Sequence, residues 1–256
     1  MTVIDTHAHL YSEEFQGDID LVIERAQKAG VSKMYLPAID SSETESMLDL
    51  EQKFPGVCIA MMGLHPCYVK ENVASELAHV KTWLDKRDFV AIGEIGLDFY
   101  WDKTFTVQQY HAFNTQMQWA LDFNLPIVIH TRNAMGETIE AVKPYAQKGV
   151  RGIFHCFSGS KESAEQIIGM GFHLGLGGVL TYKNAGVAEA IKDIPMEWLV
   201  LETDAPYLSP VPYRGKKNEP AFIIEVAKKL AEIKNLPLHT VAAMTSQNAE
   251  RVLGVR

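Results

Sequence analysis

Six side chains of this sequence have the types and placement to hold metal: His7, His9, Glu94, His130, His155 and Asp204. His7 and His9 form a His-x-His pair. On an extended strand, residues i and i+2 point to the same side, so both imidazoles can face one cation. Imidazole together with carboxylate suits zinc, manganese, iron or nickel better than calcium. His7, His9 and Asp204 supply one cation, His130 and His155 a second, and Glu94 can bridge the two through its two oxygens. A pair of divalent cations about 3.5–4 Å apart can share a hydroxide and polarise a phosphoryl or carbonyl oxygen. The chemistry expected of such a set is hydrolysis.

Taken singly, each residue also has a structural reading. A histidine at a strand end can cap or pack, Glu94 lies between glycines where a turn could form, and Asp204 could cap the segment after it. What favours ligation is their convergence, and that depends on the elements that carry them. Short apolar runs alternate with amphipathic stretches along the chain. The runs are Val3–Asp5, Lys33–Ala38, Val57–Gly63, Phe89–Gly93, Pro126–Ile129, Gly152–Phe154, Phe172–Leu176 and Leu199–Leu201. The helical stretches are Ile19–Ala29, Glu43–Phe54, Ser75–Asp85, Val107–Phe123, Glu137–Ala146, Ser163–Met170, Ala185–Ile191 and Phe222–Ile233, and a last one over His239–Leu253 closes the chain. The strands are continuously apolar rather than alternating, as expected when both faces are buried. Eight β→α units with right-handed crossovers fill one (β/α)8 barrel of about 250 residues, and the 256 residues are expected to form a single domain. An open doubly wound sheet is the alternative, but no Gly-x-Gly-x-x-Gly follows the first strand. In a barrel the active site lies where strands end. There stand His7 and His9 after the first strand, His65 after the third, Glu94 after the fourth, His130 and Arg132 after the fifth, His155 after the sixth and Asp204 after the eighth. Five of the nine histidines thus gather at one rim. Of the others, His79, His111 and His239 lie on predicted helices, and His173 starts the seventh strand at the remote end.

Composition narrows the function classes. Net charge is −8, which argues against a DNA coat or sequence reader, since such proteins neutralise phosphates with a basic surplus. It leaves room for an enzyme on phosphodiesters, because carboxylate ligands enter the count while their cations do not. No apolar run reaches the length of a membrane span. The opening Met1-Thr2-Val3-Ile4-Asp5 lacks the pattern of a secretory signal. Three widely spaced cysteines, Cys58, Cys67 and Cys156, fit reduced thiols in a cytoplasmic protein. No stable protein partner is expected.

The ordered motifs resemble those of the TatD family of metal-dependent deoxyribonucleases, nearly end to end. They are Asp5-Thr6-His7-Ala8-His9-Leu10, Gly63-Leu64-His65-Pro66, Ile92-Gly93-Glu94-Ile95-Gly96-Leu97-Asp98-Phe99-Tyr100, Pro126-Ile127-Val128-Ile129-His130-Thr131-Arg132, Ile153-Phe154-His155-Cys156-Phe157-Ser158-Gly159, Glu202-Thr203-Asp204-Ala205-Pro206-Tyr207-Leu208 and Arg214-Gly215-Lys216-Lys217-Asn218-Glu219-Pro220. The resemblance implies a (β/α)8 fold, two divalent cations (zinc, magnesium or manganese) and hydrolysis of DNA phosphodiesters, often as a 3′→5′ exonuclease on single strands or 3′ ends. It implies the same six ligands. Glu94 stands where related amidohydrolases carry a carbamylated lysine.

In the expected mechanism Asp204 takes the proton of a water activated between the metals, and Glu94 acts with it as the bridge. His65, Arg132 and Arg214 are expected to bind the phosphate, the last through a bidentate fork, with Lys216 and Lys217 extending that contact. Glu202 is a candidate to orient a ligand. Tyr100, Trp101 and Tyr207 could stack on bases. The competing readings are an amidohydrolase-type enzyme on a small ester, lactone or amide, and a non-catalytic metal-binding scaffold.

Overall fold

In the computed structural model, which describes residues 1–254, strands and helices alternate along the chain. The strands are β1 (Val3–Asp5), β2 (Val31–Leu36), β3 (Cys58–Ala60), β4 (Ile92–Asp98), β5 (Ile127–Arg132), β6 (Gly152–Phe154), β7 (His173–Leu176) and β8 (Leu199–Leu201). The helices are α1 (Ile19–Ala29), α2 (Thr44–Lys53), α3 (Val73–Lys86), α4 (Thr106–Asp122), α5 (Met135–Ala146), α6 (Lys161–Gly169), α7 (Val187–Ala190), α8 (Ile223–Lys234) and α9 (Leu238–Leu253). The paired strands are parallel and form two ladders, β1-β2-β3 and β4 through β8. Isolated bridges join the ladders at both seams. Met62 pairs with Ile92 beside β4, and Ala8 pairs with Ala205 beyond β1 and β8. The second seam is reinforced by the Thr6 amide donating to the Leu201 carbonyl (3.0 Å) and the His9 amide to the Ala205 carbonyl (2.7 Å). The architecture is the (β/α)8 barrel.

Strand alternation divides the buried residues between two apolar clusters. Ile4, Tyr35, Ile59, Met61, Val128, Ile153 and Val200 fill the barrel interior, joined from below by Ala249, Val252 and Leu253 of α9. Their strand neighbours, such as Ile127, Ile129, Phe154, Leu199 and Leu201, face the helices instead. α9 therefore plugs the floor of the barrel and leaves the opposite end open. No helix among the described residues is long and apolar enough to cross a membrane.

The same alternation fixes the aim of several polar groups. His130 shares the parity of Val128, His155 that of Ile153, and Glu202 and Asp204 that of Val200, so each continues the inward-facing row past the apolar layer. β4 differs from expectation. Its ladder runs to Asp98 instead of stopping at Gly93, so Glu94 lies within the strand. A register shift between Gly93 and Ile95 breaks the alternation there and carries Glu94 onto the inner face, as bulges do. Gly96 lets the ladder continue. Its φ is +149°, and a Cβ on it would stand 1.9 Å from the His130 carbonyl oxygen. β1 spans Val3–Asp5 as expected, and beyond it the bridge at Ala8 carries the His7–His9 segment alongside β8.

Candidate metal centre

Glu94 stands at the centre of the open end, 1% exposed. Its Oε2 lies 3.0 Å from His7 Nε2 and 3.6 Å from His9 Nε2. Its Oε1 lies 2.9 Å from His130 Nδ1, 3.2 Å from His155 Nε2 and 3.5 Å from His65 Nε2. Asp204 Oδ1 is 3.8 Å from His7 Nε2 and 3.7 Å from His9 Nε2. The two oxygens of one carboxylate thus face two separate sets of nitrogens. His7 and His155 also stack, with ring centroids 3.6 Å apart.

A neutral imidazole binds metal only through its unprotonated nitrogen, so the outward nitrogen decides whether the inward one is available. The Tyr11 hydroxyl donates to the Pro37 carbonyl, so it must accept from His9 Nδ1, 2.9 Å away. That leaves His9 Nε2 bare and facing inward. Asp98 Oδ2 stands 2.9 Å from His130 Nε2 and fixes the proton there, leaving Nδ1 free towards Glu94. Glu202 Oε1 stands 3.1 Å from His155 Nδ1 and also accepts the Cys156 amide at 2.5 Å, leaving His155 Nε2 free. His65 has the opposite arrangement. Its Nδ1 accepts the Cys67 amide at 3.0 Å, so Nε2 carries the proton and presents a donor to the site. The same geometry that makes His9, His130 and His155 candidate ligands makes His65 a candidate hydrogen-bond donor to substrate.

Electrostatics follow from this packing. Burial pushes the Glu94 carboxyl up, but His155, His65 and His7 together hold it well below the ordinary carboxylate range. Burial likewise opposes the charged form of His155, yet Glu94 and Glu202 raise it well above 6.5. Burial lowers His9 to about 4 and raises Asp204 to about 7. A buried carboxylate without a partner costs several kcal/mol; here the proton favoured on His155 provides the positive charge. A cation would take the place of that proton, since ligands must be deprotonated to bind. The donor set fits divalent metal: His7, His9 and Glu94 come together, as do Glu94, His130 and His155, and His7, His155 and Asp204. His65, Cys67 and His130 also cluster, but burial pushes the Cys67 thiol up to about 12, so no thiolate is available there near neutrality.

Three residues that the sequence did not single out hold this geometry. Asp98 and Tyr11 orient His130 and His9 as described. Asp5 accepts the amides of His7 (3.2 Å) and Thr203 (3.0 Å) on one oxygen and the Thr203 hydroxyl on the other, which ties the end of β1 to the end of β8. Asp98 had a signal: it follows Glu94 by four residues on one strand and shares its face. Gly175 serves by omission, because a Cβ there would lie 2.2 Å from Glu202 Oε2. Asp204 sits in the left-handed region, φ +56°, a conformation that Asp tolerates better than most residues. Its amide donates to the His7 carbonyl at 2.9 Å.

The centre lies at the base of a cavity of about 820 Å³ lined by Tyr68, Trp101, Arg132, Tyr207 and Leu208 among others. Arg132 therefore reaches the cavity, as do His65, Trp101 and Tyr207. Arg214 is not among the lining residues; its guanidinium lies 4.2 Å from the Tyr182 ring centroid. Lys217 is engaged with Asp18 at 3.2 Å and Lys216 lies near the Tyr213 ring.

An α/β barrel with these converging donors is the scaffold of a metal-dependent hydrolase. The chain matches the model of the TatD related DNase family over residues 4–254, and it belongs to that family. It is 37% identical over 254 residues to the Bacillus subtilis protein named uncharacterized metal-dependent hydrolase YabD, covering 99% of each. It is 32% identical over 259 residues to the 3'-5' ssDNA/RNA exonuclease TatD of Erwinia tasmaniensis, covering 99% of this chain and 100% of that one. Its fold superposes on the crystal structure of YjjV, a TatD homolog from Escherichia coli, with a TM-score of 0.93 at 29% identity over 99% and 98% of the two chains. The chain is a metal-dependent hydrolase.

Proposed function

We propose that this hydrolase cleaves phosphodiester bonds of nucleic acid, as a 3′→5′ exodeoxyribonuclease acting on single strands or 3′ ends. The observation that carries the reading is the division of Glu94, one oxygen towards His7 and His9 and the other towards His130, His155 and His65. The name of the Erwinia relative supports the substrate class. Bound cations (zinc, magnesium or manganese) supply Lewis acidity, acidifying water and offsetting the charge that builds on phosphoryl oxygens. Asp204 accepts the proton of the attacking water at its carboxylate, which lies beside the Nε2 atoms of His7 and His9 at the base of the cavity. The water oxygen forms the new bond to phosphorus, the bond to the departing sugar oxygen breaks, and Asp204 returns the proton to that oxygen. His65 donates its Nε2–H to a phosphoryl oxygen, and Arg132 pairs with a phosphate of the strand from the rim.

Incubating the metal-loaded protein with single-stranded oligonucleotide, duplex DNA, RNA and a panel of small esters, lactones and amides tests the reading. Mononucleotides released from the 3′ end are the expected product. Turnover of the small esters with intact oligonucleotides would replace it by the amidohydrolase alternative. For Asp204→Asn, hydrolysis is expected to fall by roughly 10²–10⁴-fold, the usual worth of a general base, with the circular dichroism of the fold retained.

A further inference from the structure

The mouth of the cavity carries opposite charge on its two sides. On the β4–β5 side, the Arg132 guanidinium lies 3.8 Å from the Tyr100 ring centroid and 5.1 Å from that of Trp101. Trp101 is 68% exposed and Tyr100 is half exposed. Among the described residues Arg132 has no carboxylate partner. This shelf is anchored to the metal centre. Asp98 Oδ1 accepts the amides of Tyr100 (2.9 Å) and Trp101 (3.0 Å), while its Oδ2 meets His130. On the β1–β2 side the cavity wall includes Glu13, Glu14 and Glu43, from the loops after β1 and β2. Burial, then Asp40, Glu13 and Glu14, push the Glu43 carboxyl up, as expected where carboxylates crowd together without a cation between them. Lys217 reaches this loop but meets Asp18 and the backbone carbonyl of Glu14 rather than a glutamate carboxylate. In a ring of eight strands, three steps separate the two sides, so shelf and wall face each other across the candidate metal centre.

We propose, resting on the nuclease reading above, that a single strand crosses this mouth in one polarity. Its continuing chain leaves over the Tyr100–Trp101–Arg132 shelf, and a single terminal nucleotide lies on the far side of the scissile phosphate, its free hydroxyl against the Glu13–Glu14–Glu43 wall. On the shelf, a base can stack on an exposed aromatic ring while the next phosphate meets the guanidinium. On the wall, a further phosphate would meet three carboxylates, with the neighbouring Lys217 ammonium held by Asp18 and the Glu14 carbonyl, and like-charge juxtaposition is what excludes wrong partners. A sugar hydroxyl can instead donate to a carboxylate. The wall therefore makes the cut one nucleotide from an end, and the shelf sets the affinity for the rest of the strand.

The test uses the manganese-loaded protein and one 5′-labelled oligonucleotide sequence in three forms: linear with a 3′-hydroxyl, linear with a 3′-phosphate, and covalently closed. The 3′-hydroxyl form is expected to shorten one nucleotide at a time. The 3′-phosphate form should show kcat/KM lower by at least about tenfold, and the circle should stay intact. The combined substitution Glu13→Gln, Glu14→Gln and Glu43→Gln is expected to bring the 3′-phosphate form close to the 3′-hydroxyl form. Trp101→Ala should raise KM about tenfold on both linear forms. Equal hydrolysis of all three forms, or a hydroxyl-to-phosphate ratio that the triple substitution leaves unchanged, overturns the polarity while the nuclease reading stands. Hydrolysis of none of the three overturns both.

Discussion

His155 and His173 are equally buried, 6% exposed each, and stand on neighbouring strands at opposite ends of the barrel. His155 follows β6 at the mouth. One of its nitrogens meets Glu202 and the other Glu94, and its charged form is favoured. His173 opens β7 at the floor, beside Trp198 with ring centroids 5.3 Å apart. The backbone of Gly152 and Glu197 lies close, but among the described residues neither ring nitrogen of His173 meets a partner in hydrogen-bonding geometry. Burial, helped by Arg251, lowers it to about 4. Burial alone thus makes a neutral, inert imidazole. Burial beside carboxylates that orient the ring makes a proton-holding one that a cation can claim.

The contrast is broken most severely at Glu94. Glu94→Gln removes the carboxylate charge that faces both nitrogen sets, and activity is expected to fall by roughly 10³-fold, with bound metal lost as measured by elemental analysis after dialysis. Retained stoichiometric metal would sink the bridging role. Asp98→Asn tests orientation without removing a proposed ligand. The asparagine amide would donate to His130 Nε2 and force the proton onto Nδ1, the nitrogen facing Glu94. Metal affinity is expected to drop by about 10–100-fold in a chelator competition, while Asp98→Glu restores part of it. An unchanged affinity would mean that Asp98 serves only the Tyr100–Trp101 turn.

The smallest effect is expected at the floor. A histidine whose folded pKa lies near 4 against an ordinary 6.5 contributes stability that is complete above about pH 6.5 and lost as pH falls towards 4, worth about 3 kcal/mol at most. His173→Phe is expected to flatten the acid limb of the stability curve in denaturant titrations between those pH values and to leave kcat unchanged. An acid limb of undiminished slope would show that another group takes up the proton.

Much of the barrel was legible because apolar runs and their helical neighbours are local signals. β8 and β6 fall where their runs do, and β7 begins one residue late. β4 was misjudged in length because Gly93, Glu94 and Gly96 do not look like strand interior. Only their close approach to β5 explains them. The six candidate ligands were visible as types at strand ends. The tautomers that distinguish His65 from His9, His130 and His155 were not, because they depend on Cys67, Tyr11, Asp98 and Glu202 across the fold. The motif offered Arg214 as a phosphate binder; that its guanidinium lies on Tyr182 is a contact between two loops that no spacing encodes.

By itself the sequence determined the order of strands and helices, the inward parity of His130, His155 and Asp204, and the chemical types available at one rim. These follow from backbone periodicity and need no partner. The tertiary structure decided which oxygen of Glu94 meets which nitrogen, which imidazoles face inward with a lone pair, and which side of the mouth is anionic. Those properties belong to pairs of residues far apart in the chain, and only closure of the barrel brings them within hydrogen-bonding distance.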